Sequence, residues 1–457
     1  MNNYSYFTFY NVDCILIEKI NEIILIPCNE EDLNLLFKHN SDKNFIIHYS
    51  MPLYKNVFSY IERVEMDYRS ISLIPKYIIY STEEKICSIQ ITGDAIDDFF
   101  SPSTYFYKDR DVQHDILYKS EYVDSWNIKF RNIELKLSLS YGKILNKRTA
   151  SDLMLHPILE VEFPETDDYD LIYNIFLSIE RFLKFILYKQ NCGSFKIDLY
   201  NKNDEKNFNI GFLCINNLKA QQYEKSYKRI IYSDYKQFLP LIFQFIFNNE
   251  NLYLKHLSDC GFINFEVDDM EIVYPKLFTA FENECDNDEK TYNIADDSSV
   301  TELRENILKT IEKNFKIKEL KSEREKQFLN NVKQSISREG KRFGQKVKII
   351  NAYNVLSEAI SDLVKKIVCS NKETDLNDTH IKKVAENLTG LRGKLVHSGY
   401  TNKLTSQQCN FIRFFEVMIY AQMLRRAALS SEDIRLIIGS TFLLSMELYQ
   451  KNIEEQN

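Results

Sequence analysis

The sequence predicts an α+β protein in which a β-rich N-terminal domain, residues 1–262, is followed by an all-helical bundle, residues 263–457. Three observations predict it. A chain of 457 residues exceeds what one hydrophobic core normally serves, so two domains are expected, each long enough to bury its own core. Up to about residue 165, apolar side chains alternate with polar ones, whereas after about residue 300 they recur every three to four positions; these are the periods of half-buried strands and of helices. Between Phe265 and Val300 the composition turns acidic, which marks the change of domain.

Taken in order, strands are expected in YSYFTFY, CILIEKINEIILIP, FIIHY, ISLIPKYIIYS, KICSIQITG, WNIKFRNIELKLSLSYGKIL and HPILEVEF, all rich in β-branched and aromatic residues. The stretch from Trp126 keeps period two longest, so one face should pack on a core and the other meet water or a ligand, in an antiparallel sheet or sandwich. Trp126, the single tryptophan, reads as a core residue, with a recognition anchor as the alternative. Asp168 to Gln190 reads as a helix with Leu171, Ile175, Ile179, Phe182 and Ile186 on one stripe and Asn191-Cys192-Gly193 as its stop. FKIDLY and NIGFLCIN follow as strands, and an apolar helix is expected from about Tyr235 to Leu257 with Pro240 in its first turns. Beyond the boundary, a helix is expected near Lys276 to Glu284. Five further helical stretches follow, VTELRENILKTIEKNF, SEREKQFLNNVKQSI, KRFGQKVKIINAYNVLSEAISDLVKKIV, SQQCNFIRFFEVMIYAQMLRRAAL and EDIRLIIGSTFLLSMELYQKN, with one more between the third and fourth.

Composition narrows the function. With 66 acidic against 58 basic residues the formal charge is −8, which excludes a protein that coats nucleic acid with its whole surface and leaves room for a local basic site. Nine cysteines without a Cys-x-x-Cys pair suggest neither a disulfide framework nor a zinc ribbon and fit a reducing cytoplasm. The N-terminus lacks the pattern of a secretory signal. FLPLIFQFIF is too short to span a bilayer, and Leu171 to Tyr188 is interrupted by Glu180, Arg181 and Lys184, so no membrane span is expected. The histidines show no ligand spacing, and no Walker loop, dinucleotide glycine signature or G-x-S-x-G is present, so neither metal nor cofactor is expected.

The chemistry concentrates in LRGKLVHSGY, Leu391 to Tyr400. The preceding residues supply a helix cap at Asp378 or Thr379 and apolar side chains at Ile381, Val384, Ala385, Leu388, Leu391 and Leu395, all on one arc. Arg392 falls near the middle of that arc, which turns a charge that cannot be neutralised toward the buried side; it needs a partner or a task. His397 lies about 140° further round and about 7.5 Å along the axis, with Gly399 as the expected C-terminal cap. Arg392 reads either as half of a buried ion pair, with Glu358 or Glu416 as partner, or as a phosphate ligand. His397 reads either as a cation on the helix dipole or as an acid–base group that titrates near neutrality. Arg425-Arg426, Lys365-Lys366 and Lys382-Lys383 read as phosphate collectors or as solvated faces.

RGKLVH fits Arg-x4-His and so resembles the motif of the HEPN superfamily of helical bundles, many of them metal-independent ribonucleases. With a β-rich domain in front of the bundle, the chain is similar over essentially its whole length to the ApeA family of anti-phage defence proteins. The resemblance implies an endoribonuclease effector of abortive infection that needs no metal or cofactor, with RNA as substrate, a phage-derived trigger as partner, and an N-terminal domain that senses or restrains. His397 would act as acid or base on the ribose 2′-hydroxyl or the leaving oxygen, and Arg392 would stabilise charge on phosphorus. Lys394, Arg425 and Arg426 would contact RNA. Glu282 is either a further acid near the site or a solvated carboxylate. Many relatives carry a polar residue directly after the arginine, where this chain has Gly393; Lys394 is the candidate to compensate. A second function stays open, a non-catalytic HEPN module that binds a protein or nucleotide partner. A homodimer through the helical domain is expected, because side chains about 140° apart converge on one phosphate only if the helix unwinds before His397 or a two-fold axis brings a second motif alongside. Gly390 and Gly393 favour the second route by allowing close approach.

Overall fold

The structure is a computed structural model. It describes residues 4–19, 22–38, 43–101, 123–145, 153–203, 206–215, 223, 232–259, 263–265, 268–288, 298–315, 322–338, 344–369, 376–397 and 404–442. The chain divides into two units, Met1–Leu252 with Asp259–Phe262, and Tyr253–Ser258 with Ile263–Asn457.

The first unit is built on a twelve-stranded antiparallel sheet. Its strands are β1 (Tyr4–Phe9), β2 (Val12–Lys19), β3 (Glu22–Pro27), β4 (Phe45–Tyr49), β5 (Asn56–Asp67), β6 (Ser70–Ser81), β7 (Ile86–Gly93), β8 (Asp124–Phe130), β9 (Ile133–Leu145), β10 (Leu153–Thr166), β11 (Phe195–Asn203) and β12 (Lys206–Ile215). The branch point is β6. One of its edges is occupied along its length by β5, while the other is shared, β3 pairing at Ile71 to Leu73 and β12 at Tyr77 to Ser81. One edge cannot hold two strands without the sheet dividing. In the first arm, ordered β1-β2-β3-β6-β5-β4, the ring centroids of Phe7 and Tyr49 lie 6.2 Å apart and those of Phe9 and Phe45 5.8 Å apart. Side chains of the first strand therefore meet those of the last, and six strands curl round one core that includes Leu16, Leu25, Ile47, Val57 and Ile71.

The second arm, β12-β11-β7-β10-β9-β8, carries helices among its described neighbours: α2 (Asp94–Phe99), α3 (Tyr169–Leu187), a single turn α4 (Tyr232–Tyr235) and α5 (Leu239–Asn248), while the short α1 (Leu33–Phe37) belongs to the first arm. Asp168 caps α3 by accepting from the Leu171 N–H, and the helix ends where Tyr188 turns left-handed at φ 50°. Trp126 is a core residue, its ring 5.4 Å from that of Phe243, which in turn stacks on Phe182 at 4.1 Å. The outer edge of β8 is protected by a side chain: both the N–H and the C=O of Lys129 bond the amide of Gln244, at 3.1 and 2.8 Å. That satisfies the edge groups a stray strand would seek.

Several expected boundaries move. CILIEKINEIILIP is a hairpin of two strands, as is the stretch after Trp126, where Arg131 at φ 52° makes the turn. The strand β5 was not expected at all. The helix expected from Tyr235 to Leu257 stops at Asn248, where the Asn249 side chain donates to the Phe245 carbonyl.

The second unit is helical among its described residues: α6 (Met270–Asn287), α7 (Ser298–Asn314), α8 (Glu323–Arg338), α9 (Gln345–Val368), α10 (Asp378–His397), α11 (Ser406–Arg426) and α12 (Ser431–Thr441). α9 packs on α10, α11 and α12, α6 packs on α10 and α11, and α7 pairs with α8. α11 is buried on every side over most of its length, including Glu416 and Gln422. It starts with a capping box between Thr405 and Gln408, which satisfies two otherwise orphaned backbone donors. α6 begins at Met270, capped by Asp269, six residues before the expected Lys276. The cap of α10 is Asn377, whose Oδ1 accepts from the His380 N–H at 3.1 Å, so Asp378 and Thr379 lie inside the helix. The six apolar positions of its arc are all buried. Among the described residues no helix is long and apolar enough to cross a membrane.

Candidate functional site

The site grows from the contact between α6 and α10. On α6, Tyr274, Phe278 and Glu282 follow one another at four-residue steps and so share one face. The Tyr274 hydroxyl donates to the Leu388 carbonyl at 2.8 Å. The Arg392 guanidinium lies 5.0 Å from the centroid of the Phe278 ring, and its Nη1 donates to Glu282 Oε1 at 3.2 Å. Glu282 Oε1 also accepts from the Gln345 amide at the start of α9. Three helices thus meet at one carboxylate.

The long arginine side chain leaves the apolar arc of α10 and carries its charge to the rim, so that Arg392 and Glu282 are 36% and 32% exposed. Its partner is neither of the two expected acids. Glu358 accepts from Ser431 Oγ at 2.9 Å and Glu416 from the Ile263 N–H at 3.3 Å. Glu282, one of whose readings was a solvated carboxylate, takes that place instead. Among the described residues, Nε and Nη2 of Arg392 have no partner. Burial pushes the Tyr274 hydroxyl well above its ordinary value, with Arg392 pulling against it.

His397 is the last residue of α10, and the helix runs unbroken to it. No unwinding separates the two motif residues, which remain about 140° apart on the wheel. The side chain of His397 lies outside the described residues, as does Gly399, the expected cap. Gly393 and Lys394 are exposed. A Cβ built at Gly390 or Gly393 meets nothing within 4 Å, so no neighbour in this chain demands glycine there.

The other face of α6 holds Arg426, another of the expected arginines. Glu282 and Glu284 are two residues apart, about 200° on the wheel, so Glu284 points toward α11. Arg426 Nη1 lies 2.8 Å from both oxygens of Glu284, with the side chains 15% and 0% exposed. Burial pushes the Glu284 carboxyl up while Arg426 draws it back down. Beside this pair the Gln422 amide donates to Cys285 Sγ at 3.6 Å. Arg425 is half-buried, and its Nη1 has no hydrogen-bond partner among the described residues. Arg426 therefore belongs to the packing of two helices rather than to a solvated face, and it is not brought together with Arg392.

The sequence carried one usable signal for Glu282, the four-residue spacing of Tyr274, Phe278 and Glu282. It sat inside the acidic stretch that marked the change of domain. Among the described residues no group of three or more His, Cys, Asp or Glu is placed to hold a metal ion, and the described cysteines are free thiols. No protein-family model, curated protein or solved structure matches this chain.

Proposed function

We propose that the chain is an endoribonuclease of the HEPN type that serves anti-phage defence, with Arg392 and His397 as its catalytic pair. The observation that carries this reading is the state of Arg392. Its guanidinium is held on one side by Glu282 and Phe278, and the opposite edge has no partner among the described residues, on the same helix that His397 closes. The reaction these groups suit is internal transesterification. The ribose 2′-oxygen bonds to phosphorus, the bond from phosphorus to the 5′-oxygen breaks, an imidazole takes the 2′-hydroxyl proton, and a proton is returned to the 5′-oxygen. Arg392 stabilises charge on the non-bridging oxygens, for which a planar two-donor edge is suited. Because α10 stays helical up to His397, the cleft is read as composite, completed by the motif of a second copy across a two-fold axis. The β-rich unit is assigned the sensing or restraining role.

The test is incubation of the purified protein with total RNA in EDTA, beside an Arg392→Ala/His397→Ala chain. Cleavage by the wild type alone is expected. Equal cleavage by both would remove the assignment, and activity that disappears in EDTA and returns with a divalent ion would refute the metal-free scheme. A second reading, a non-catalytic module, draws on the Glu282 carboxylate that already offsets the Arg392 charge. RNA left intact by both proteins, with or without an infected-cell extract, would favour it.

A further inference from the structure

We infer that the first arm of the sheet binds an organic cation where β6 forks, an alkylammonium group held between the Glu18 carboxylate and the rings of Tyr54, Tyr80 and Phe212. The site follows from the fork. On the shared edge of β6 the ladder with β3 ends at Leu73 and that with β12 begins at Tyr77. Ile74 to Lys76 lie between the two ladders, and Pro75, which has no N–H to leave unpaired, stands in the middle of that interval. On the other edge the register with β5 slips at the same level, between Tyr60 and Arg63. The face that β6 turns to the core changes with it: Ile71 and Leu73 belong to the core before the interval, Ile78 and Tyr80 after it. Tyr80 is thereby turned toward Glu18, the residue of β2 that lies opposite Ile23 of β3.

Glu18 follows Val12, Cys14 and Leu16 at two-residue steps along β2, all three of them buried, so it carries a carboxylate to the inner side of the arm. The Tyr80 hydroxyl donates to its Oε1, and the Tyr49 hydroxyl, from β4, to its Oε2 at 3.3 Å. Two neutral phenols spread the charge without cancelling it, and among the described residues no Lys or Arg pairs with Glu18. Burial pushes this carboxyl above its ordinary value against the pull of the two phenols. A place for the missing counter-charge lies beside it. Tyr80 and Phe212, opposite one another in the β6–β12 ladder, stack at 4.6 Å, and the Tyr54 ring stands 5.5 Å from each, at 61° to Tyr80 and 83° to Phe212. Met51 and Tyr54 exchange backbone hydrogen bonds at 2.9 and 3.2 Å, which fixes the turn that brings Tyr54 there. Tyr54 and Phe212 are only partly buried, so their rings also meet water. Aromatic faces attract an ammonium ion, and its alkyl groups bury against them. A metal ion asks instead for several oxygen, nitrogen or sulfur ligands, and among the described residues no group of three or more His, Cys, Asp or Glu is placed to hold one. An apolar ligand would leave the carboxylate unanswered. The site gives the β-rich unit a ligand of its own, whether or not the helical unit cleaves RNA.

The experiment titrates the full-length protein with tetramethylammonium chloride, read by the methyl proton signal of the probe and by calorimetry, with sodium chloride holding the ionic strength constant. Saturable binding is expected in the wild type. Glu18→Gln removes the charge at nearly constant shape and should weaken binding by at least roughly 10-fold, the scale of losing one partner of a desolvated charge pair. Tyr54→Leu removes one ring and should weaken it by roughly 3- to 10-fold. The neutral probe tert-butanol should not compete. Absence of saturable binding to the wild type would overturn the inference. Wild-type affinity in Glu18→Gln would overturn it as well, since the ammonium would then be held elsewhere. Equal binding of tert-butanol would do the same by showing that the charge contributes nothing. Should Glu18→Gln melt well below the wild type, Tyr54→Leu decides, and unchanged affinity there overturns the assignment. A Glu18→Gln chain that melts higher than the wild type, with neither binding tetramethylammonium, would make Glu18 a protonated member of the core and remove the site.

Discussion

Two arginine–glutamate pairs stand on opposite faces of α6, and they differ in what surrounds them rather than in their chemistry. Glu284 and Arg426 are 0% and 15% exposed and meet with both carboxylate oxygens 2.8 Å from one nitrogen. Glu282 and Arg392 are 32% and 36% exposed and share a single contact at 3.2 Å. Removing two charges from water costs several kcal/mol each, so the inner pair holds together because neither partner can be left alone. The outer pair has incurred less of that cost, and it leaves Nε and Nη2 of Arg392 without a partner among the described residues. An arginine near an acid is therefore a poor guide to function until the water around it has been considered.

The largest effect that this comparison predicts is on stability. Near pH 8, where Glu284 is ionised, Glu284→Ala leaves Arg426 buried with a charge it cannot shed, and should cost about 3–5 kcal/mol in urea unfolding of the helical unit. A loss under about 1 kcal/mol would place Arg426 in water, where surface pairs have that value, and would dissolve the distinction. The next effect is on activity. On the ribonuclease reading proposed above, Arg392→Lys keeps the charge and loses the planar edge, so cleavage should fall by roughly 100-fold, equivalent to about 2.7 kcal/mol of transition-state stabilisation, with melting almost unchanged. Retained activity would mean that Arg392 supplies charge alone.

How much of this was legible depends on the range of the interaction involved. The arc of α10 was readable because periodicity is local: all six positions from Ile381 to Leu395 are buried. The partner of Arg392 was not, since Glu282 lies 110 residues away in sequence and spacing within one helix does not say which second helix will approach. Glu416 and Glu358 were equally plausible by composition. The hairpin turn at Arg131 escaped notice because a left-handed φ of 52° at a non-glycine residue leaves no sequence mark. β5 was missed because the apolar alternation of NVFSYI gives way to ERVEMD, exposed along much of its length. The helical period placed Arg392 on the arc of α10, but the grip of α6 on Arg392 emerges only when the helices are packed.

The inner pair should also carry a pH signature. Burial pushes the Glu284 carboxyl up from its ordinary 4.5, so the folded unit holds a proton that the unfolded chain releases. That contribution is complete below about pH 4.5 and is lost as the pH rises through the raised value. His256 acts in the opposite sense: burial lowers it from 6.5 to about 4, so its contribution is complete above 6.5 and is lost as the pH falls through about 4. Subtracting a Glu284→Gln profile from that of the wild type isolates the first group. The stability difference in favour of the wild type should be greater near pH 5 than near pH 8, by on the order of 1 kcal/mol. A flat difference would mean that the pull of Arg426 offsets the burial of Glu284 in full.

The smallest effect makes the sharpest comparison. A double-mutant cycle across Glu282 and Arg392, measured by unfolding, should return a coupling under about 1 kcal/mol, because a third of each side chain already faces water and each loses rotamer freedom to make the contact. The same cycle across Glu284 and Arg426 should return a larger value. Raising the salt to about 0.5 M should erode the first coupling and leave most of the second, since screening acts on charges that the ions can approach. The outer pair would then be weak in the folding ledger yet costly to disturb in catalysis, a combination that an ion pair maintained only for stability does not produce. Equal couplings with equal salt dependence would put both arginines in one class, and Arg392 would lose the claim to a role that Arg426 lacks.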